Sequence, residues 1–238
     1  MTYSSIFVKF YDSIMGDRAV VAKKIESLIL ENFPKAKTIL DLGCGTGSVL
    51  LFFNQRGFKL HGIDISKEMI VEARKKVPNA ILSIEDMRHF KLDRNFDVIL
   101  CLFDSMNHLL SRKDWEMVFN ASFDHLNKNG IFIFDINTQH ALSILAESSP
   151  VSRKFGDNIF TIQVSEQSSG IYDWNITISE KQKNGLYIDH KDLVQETSFS
   201  LSTVMELLEK KFSKVKLIDQ SGGGASEQSK RVFFICSK

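Results

Sequence analysis

A chain of 238 residues, 43% hydrophobic and 25% charged, buries enough apolar surface to fold without disulfide staples. It reads as one large domain or a core with a modest insertion. Lys+Arg total 30 against 29 Asp+Glu, a formal net charge of +1, which argues against a protein built to grip a phosphate backbone. Cys44, Cys101 and Cys236 lie far apart and form no CxxC pair. Neither a disulfide framework nor a metal site is expected, and a reducing compartment is the default. The first residues lack a basic end followed by a long apolar stretch. The longest apolar run, Val98–Phe103, falls far short of the ~20 residues of a membrane-spanning helix. A cytoplasmic protein is expected. Phe 19 against Pro 3 points to regular elements around a thick core.

In chain order, apolar Val21, Ile25, Leu28 and Ile29 recur at helical spacing and predict an amphipathic helix over 18–33. A β-type run over 37–42 ends in an acidic segment and enters the loop Gly43-Cys-Gly-Thr-Gly47. A helix over about 48–56 follows. A second strand over 58–64 ends at Asp64, and Ser66 is placed to cap a helix running to about Lys76. A third strand over 80–84 ends at Glu85-Asp86. The continuous apolar run 96–103 suits a central parallel strand buried on both faces. Ser111-x-x-Asp114 is a capping box, and 130–136 forms a fifth buried strand. This alternation predicts an α/β fold with a doubly wound, mostly parallel sheet.

After about Ser149 the pattern changes. Segments 158–165, 171–179 and 187–197 read as antiparallel strands, with turn signals at Ser168-Ser169-Gly170 and Asn184-Gly185. A helix over about 202–211 and closing strands 215–218 and 231–236 follow, joined by a Gly-rich stretch, 221–230, expected to be mobile. The division expected is a ligand-binding core with an N-terminal helix over 1–149, an antiparallel insert over 150–200 that lids the site, and a return to the core over 201–238.

Chemistry concentrates at Ile39-Leu-Asp-Leu-Gly-Cys-Gly-Thr-Gly47. Alternating glycines after a strand and before a helix allow a sharp turn and close approach of a ligand. The spacing is GxGxG, not the GxGxxG of a dinucleotide site. Asp41, two residues before the first glycine, would repel a phosphate and favour a cationic ligand.

On these residues the chain resembles the class I S-adenosylmethionine-dependent methyltransferases, whose first motif is (D/E)xGxGxG. The resemblance implies the seven-stranded fold of that family. It implies S-adenosyl-L-methionine as cofactor, with S-adenosyl-L-homocysteine as product. By the same resemblance, Asp41, Gly43, Cys44 and Gly45 form the cofactor loop. Asp64 takes the ribose hydroxyls, beside Ile65 and Met69. Asp86 and the Met87 amide take the adenine, and Leu102 and Phe103 line the adenosine. Cys44 and Cys101 read otherwise as small packing residues. The blocks FYDSIMGD, IEDMRHF, FDVILCLFDSMNHLL and FIFDINT are similar to small bacterial methyltransferases and to N-methyltransferases of the glycine and amino-sugar type. There, an N-terminal tyrosine and a following arginine lie over the methionine part of the cofactor, a spacing that Tyr11 and Arg18 match. Tyr11 reads equally as a core aromatic, and Arg18 as a helix-face charge.

The expected reaction is methyl transfer to a small-molecule acceptor, an amine nitrogen first. An RNA or protein methyltransferase and a non-catalytic cofactor-binding protein are the alternatives. An amine must shed its proton, for which His108 is the candidate base, Tyr11 a second catalytic candidate, and Asp104 and Asn107 the orienting groups. His108 reads equally as a packing residue beside the following helix. Asn137, Tyr172 and Trp174 are further substrate candidates, with Tyr187 and His190 on the same insert. Gln195 and Phe199 stand where the similar proteins carry His and Tyr. No membrane or nucleic-acid partner is expected, and monomer and homodimer both stay open.

Overall fold

The computed structural model describes residues 3–167 and 170–238. Thr38–Leu42 (β1), Lys59–Asp64 (β2), Ile81–Ile84 (β3), Phe96–Cys101 (β4) and Leu126–Asn137 (β5) form the parallel part of a seven-stranded sheet. Lys214–Asp219 (β10) and Arg231–Ser237 (β11) close it in antiparallel register on β5, giving the order β10-β11-β5-β4-β1-β2-β3. The strand order reverses between β1 and β4, so the carboxyl ends of those strands frame a crevice.

Helices cover both faces. Ala19–Asn32 (α2), Ser48–Asn54 (α3) and Lys67–Lys76 (α4) pack on one, Arg112–His125 (α5) and Leu201–Leu208 (α7) on the other. The caps are those the local sequence encodes. The Ser66 hydroxyl accepts from the Met69 amide at 3.2 Å, and the Ser111 hydroxyl from the Asp114 amide at 3.1 Å. The phenylalanine surplus builds the α5/α7 side of the sheet. Phe134 stacks on Phe234 with ring centroids 4.6 Å apart, and on Phe132 at 5.0 Å.

Val151–Phe155 (β6), Asn158–Glu166 (β7), Ile171–Lys181 (β8) and Tyr187–Thr197 (β9) form a separate four-stranded antiparallel sheet. β6 is one strand more than the sequence pattern indicated. Gly185 turns the β8–β9 hairpin at φ +83°. The turn signal at Ser168-Ser169 lies outside the described residues. Two helices absent from the sequence reading pin this sheet: Ser5–Met15 (α1) and Gln139–Ser148 (α6). Each has a local cap, Ser4 for α1 and Thr138 for α6.

The fourth strand ends at Cys101, not Phe103. Phe103 and Asp104 both take φ +58°, a strained conformation for non-glycine residues. The Asp135 carboxylate holds them there, accepting from the Phe103 amide at 2.7 Å and the Asp104 amide at 3.2 Å. The Gly-rich 221–230 stretch is tied to the body rather than free. The Thr138 hydroxyl donates to the Ser229 carbonyl at 2.6 Å, and the Leu201 amide donates to Glu227 at 2.8 Å. No helix among the described residues is long and apolar enough to cross a membrane.

Candidate active site

A cavity of about 780 Å³ opens at the carboxyl ends of β1, β2 and β4 and runs under the inner face of the four-stranded sheet. Its floor is the glycine loop. Gly43, Gly45 and Gly47 take φ +66°, +53° and +78°, values that a side chain would strain. The loop and Asp64 fix each other, since the Gly45 amide donates to Asp64 Oδ2 at 2.9 Å. The Ser66 amide donates to Asp64 Oδ1 at 2.8 Å.

Asp41 is 3% exposed at the cavity wall. Burial, and next the Asp64 charge, push its carboxyl up to about 8. Burial likewise raises Asp64, against hydrogen bonds from the Ser66 and Gly45 amides. Among the described residues neither acid has an ion-pair partner. Two unpaired carboxyl groups in one cavity favour a cationic, hydroxyl-bearing ligand and disfavour a phosphate. Asp86 also lines the cavity, but Arg88 grips its carboxylate at 2.6 Å and holds it below the usual range.

Cys44, Ile65, Met69, Met87, Leu102 and Phe103 complete this half of the wall. The Arg18 guanidinium lies over the Phe103 ring, 3.8 Å from its centroid. Tyr11 crosses above Gly45, where an added Cβ would come within 3.9 Å of its ring. Burial, opposed by the Arg18 charge, pushes the Tyr11 phenol up to about 12. α1 delivers Tyr11 because Asp12 bolts that helix to the loop. Asp12 accepts from the Thr46 hydroxyl at 2.6 Å and from Lys76 at 2.7 Å.

Past this half, the cavity meets Asp104, His108, Asn137, Trp174 and Gln195. Burial lowers His108 below the ordinary histidine value, against the Asp104 charge and a hydrogen bond to the Gln195 backbone, so its imidazole is neutral. Trp174 Nε1 is buried with no hydrogen-bond partner among the described residues. Tyr3, which the sequence reading did not single out, lines the cavity and stands edge-on to His108 at 6.3 Å.

Several candidates lie elsewhere. Asn107 is fully buried behind the wall. Its amide nitrogen donates to the Asn137 and Thr197 carbonyls at 2.9 and 2.8 Å, and its oxygen accepts from the Asn137 amide. It is a strut between the two sheets. Tyr172 is on the same sheet face as Trp174, but α6 covers that end, and Tyr172 packs with Leu142 and Val164. His190 is at the far end, 3.2 Å from Glu180. Tyr187 is exposed, and Phe199 packs on Trp115 at 5.0 Å.

Sequence reasoning also missed Asp135, Glu196 and Arg231. Arg231 lines the cavity, pairs with Asp135, and donates to Asp104 at 2.5 Å and Asn137 at 2.9 Å. A signal did exist for Asp135, a lone acid inside the apolar run Ile131–Ile136. A charge there requires a buried partner. Glu196 is 3% exposed on β9.

The comparisons with known proteins agree with this architecture. Residues 39–130 match the family model of a methyltransferase domain. The matched residues carry the glycine loop and the acids Asp41, Asp64 and Asp86. The chain is 27% identical, over the whole length of both chains, to a protein of Geobacillus sp. (strain WCH70) named as a methyltransferase. It is 29% identical to the dTDP-3-amino-3,4,6-trideoxy-alpha-D-glucopyranose N,N-dimethyltransferase of Streptomyces venezuelae, over 56% of each chain. In fold, the chain is similar to an S-adenosylmethionine-dependent methyltransferase from Clostridium acetobutylicum, with TM-score 0.87 and 21% identity over 97% of each chain. It is also similar to an amino pentose methyltransferase from Micromonospora echinaspora, solved with S-adenosylmethionine bound. There the TM-score is 0.80, at 18% identity over 100% of this chain and 98% of that one.

Proposed function

We propose that the chain is a cytoplasmic methyltransferase that uses S-adenosylmethionine to methylate a small-molecule amine. The observation that carries the cofactor half is the pair of unpaired acids, Asp41 and Asp64, beside a loop that needs three glycines. When bound, the cofactor supplies an electrophilic methyl group and a good leaving group. The residues that would hold it are Asp64 at the hydroxyls, the Gly43–Gly45 backbone, Asp86 and Met87 at one end, and Tyr11 with Arg18 at the other. Asp41 lies buried beneath them, where a bound cation would favour the charged form of its carboxyl.

Methyl transfer needs alignment and dryness more than bond-making groups. Phe160, Ile162, Trp174 and Val194, on the inner face of the insert, roof the acceptor space with apolar surface. In this reading the roof serves as the lid expected over 150–200. His108, neutral through burial, takes the proton of an acceptor ammonium, and Asp104 steadies the resulting imidazolium. Trp174 Nε1 offers a hydrogen bond to an acceptor oxygen. Support for an amine comes from the sugar N,N-dimethyltransferases among the relatives and from the acid-rich acceptor space. The test is incubation with S-adenosylmethionine and a panel of amines and phenols, reading products by mass. Methylated amines are expected. Methylation of phenols alone, or binding of NAD with neither sulfur nucleoside bound, would overturn the reading.

A further inference from the structure

We propose that Glu196, behind Asp104 and His108, makes the inner end of the acceptor space a seat for an ammonium group and selects cationic amines over neutral hydroxyl acceptors. The proposal rests on the amine reading above and names the residue that would enforce it.

The argument begins with position. Asp104 and His108 line the cavity, and Glu196 is on the same face of β9 as Val194, which also lines it. One donor atom from each of Asp104, His108 and Glu196 lies within 4.8 Å of the others. Four elements converge there: the turn Ser105–His108, β9, β5 and its partner β11.

Charge counting comes next. Three carboxyl groups, those of Asp104, Asp135 and Glu196, share one guanidinium, Arg231. Its two terminal nitrogens go to Asp135, to Asp104 at 2.5 Å and to the Asn137 amide oxygen at 2.9 Å, so Arg231 makes no hydrogen bond to Glu196 and acts on it only through its charge. The hydrogen bond to the Glu196 carboxyl is a long one, 3.5 Å from Asn137 Nδ2. Among the described residues, the other ionisable neighbours are the Tyr3 phenol and the neutral His108 imidazole. A bare carboxylate in such a place is prohibitively costly, so Glu196 keeps its proton until a cation arrives. Burial, with Asp104 next, acts in the same direction on its carboxyl.

An acceptor ammonium entering over Asp104 and His108 supplies that cation. Glu196 then releases its proton to solvent. The ammonium gives one N–H proton to the free imidazole nitrogen of His108, and the electron pair stays on the acceptor nitrogen. A neutral hydroxyl brings no charge, so it leaves Glu196 protonated and gains nothing from it. The same three groups are spaced for a divalent ion, but the Arg231 guanidinium already occupies Asp104.

The experiment uses the full chain saturated with S-adenosylhomocysteine and titrated calorimetrically with cyclohexylamine or cyclohexanol, in buffers of different ionisation enthalpy. Cyclohexylammonium should bind at least about tenfold more tightly than cyclohexanol, the scale of one charge-assisted contact, and binding should release a proton. Glu196→Gln should lose both the preference and the release while keeping its affinity for S-adenosylhomocysteine, which certifies the fold. Glu196→Asp, should the Gln variant not fold, should keep the proton release. No ammonium preference in the wild-type protein, or an unchanged preference in Glu196→Gln, overturns the proposal. Methyl transfer that is lost in EDTA and restored by Mn²⁺ overturns it as well. If the preference depends on Glu196 but no amine is ever methylated, the ammonium seat stands and the amine-acceptor reading fails. If amines are methylated and Glu196→Gln discriminates as the wild type does, the seat alone fails.

Discussion

Asp41 carries the sharpest consequence at the scale of single residues. Its carboxyl titrates at about 8 in the folded chain against 3.8 ordinarily. The native state therefore holds a proton that the unfolded chain has released. The associated stability is complete below 3.8 and is lost as pH rises through about 8. In Asp41→Asn the group does not titrate. Its melting temperature should fall less than that of the wild type between about pH 5 and about pH 9, as followed by circular dichroism. Parallel curves would remove Asp41 as the cause. Asp64 makes a separate prediction. Two backbone amides orient its carboxylate toward the cavity. Asp64→Ala should weaken S-adenosylhomocysteine binding by about tenfold or more in calorimetry, the worth of one charge-assisted hydrogen bond. For His108, burial places the base below 6.5, so the acid limb of the kcat/KM profile should lie below that value. His108→Ala should lose turnover and keep cofactor affinity. An acid limb unchanged in that variant would return His108 to a packing role.

The decisive units at the next scale up are elements that join the two sheets. α1 ties its Asp12 to Thr46, Ser48 and Lys76 of the core, and its Ser4 cap to Asp192 of the insert. The Asp12–Lys76 pair is half exposed on the Asp12 side, so Asp12→Ala should cost about 1 kcal/mol or less in global stability. Its larger effect should be local, as faster hydrogen exchange across α1. Uniform exchange changes across the molecule would contradict that. The β4 exit is a stiffer joint. Asp135 is 1% exposed, pairs with Arg231, and holds the left-handed Phe103 and Asp104. Removing it takes one of two carboxylates from the Arg231 guanidinium, which keeps Asp104, and frees a strained turn. Asp135→Ala should therefore lower unfolding free energy by about 2–3 kcal/mol, read as a shift in the urea midpoint. The caps of α4 and α5 were legible beforehand because Ser66 and Ser111 act within three residues. α6 was not, although Thr138 caps it in the same way. Its apolar face is short, and its partner, β7 of the insert, lies beyond it in the chain.

Across the whole molecule, cofactor binding and folding are one equilibrium. At a ligand concentration of about 100 times Kd, S-adenosylmethionine should add about 2.7 kcal/mol, which for a chain of this size is a rise of about 5–10 °C in melting temperature. NAD should give none, because the GxGxG loop lies against acids and not against an anion seat.

The strand-and-helix alternation, the glycine loop and the acids ending β1 and β2 were legible in the chain because each is written within about ten residues. A strand period, a φ that only glycine takes easily, and a cap need no distant partner. The acceptor end was decided elsewhere. Asp104 and Arg231 are 127 residues apart in sequence, and Asp135 and Arg231 are 96. Tyr172 and Trp174 share a face, yet α6 covers one while the other faces the cavity. Glu196 became informative only when Arg231 proved to be committed to other acids. Alternation along a strand sets which face a side chain takes. Whether that face meets a helix, a counter-charge or a cavity depends on what packs against it, and that is fixed by contacts far apart in the chain.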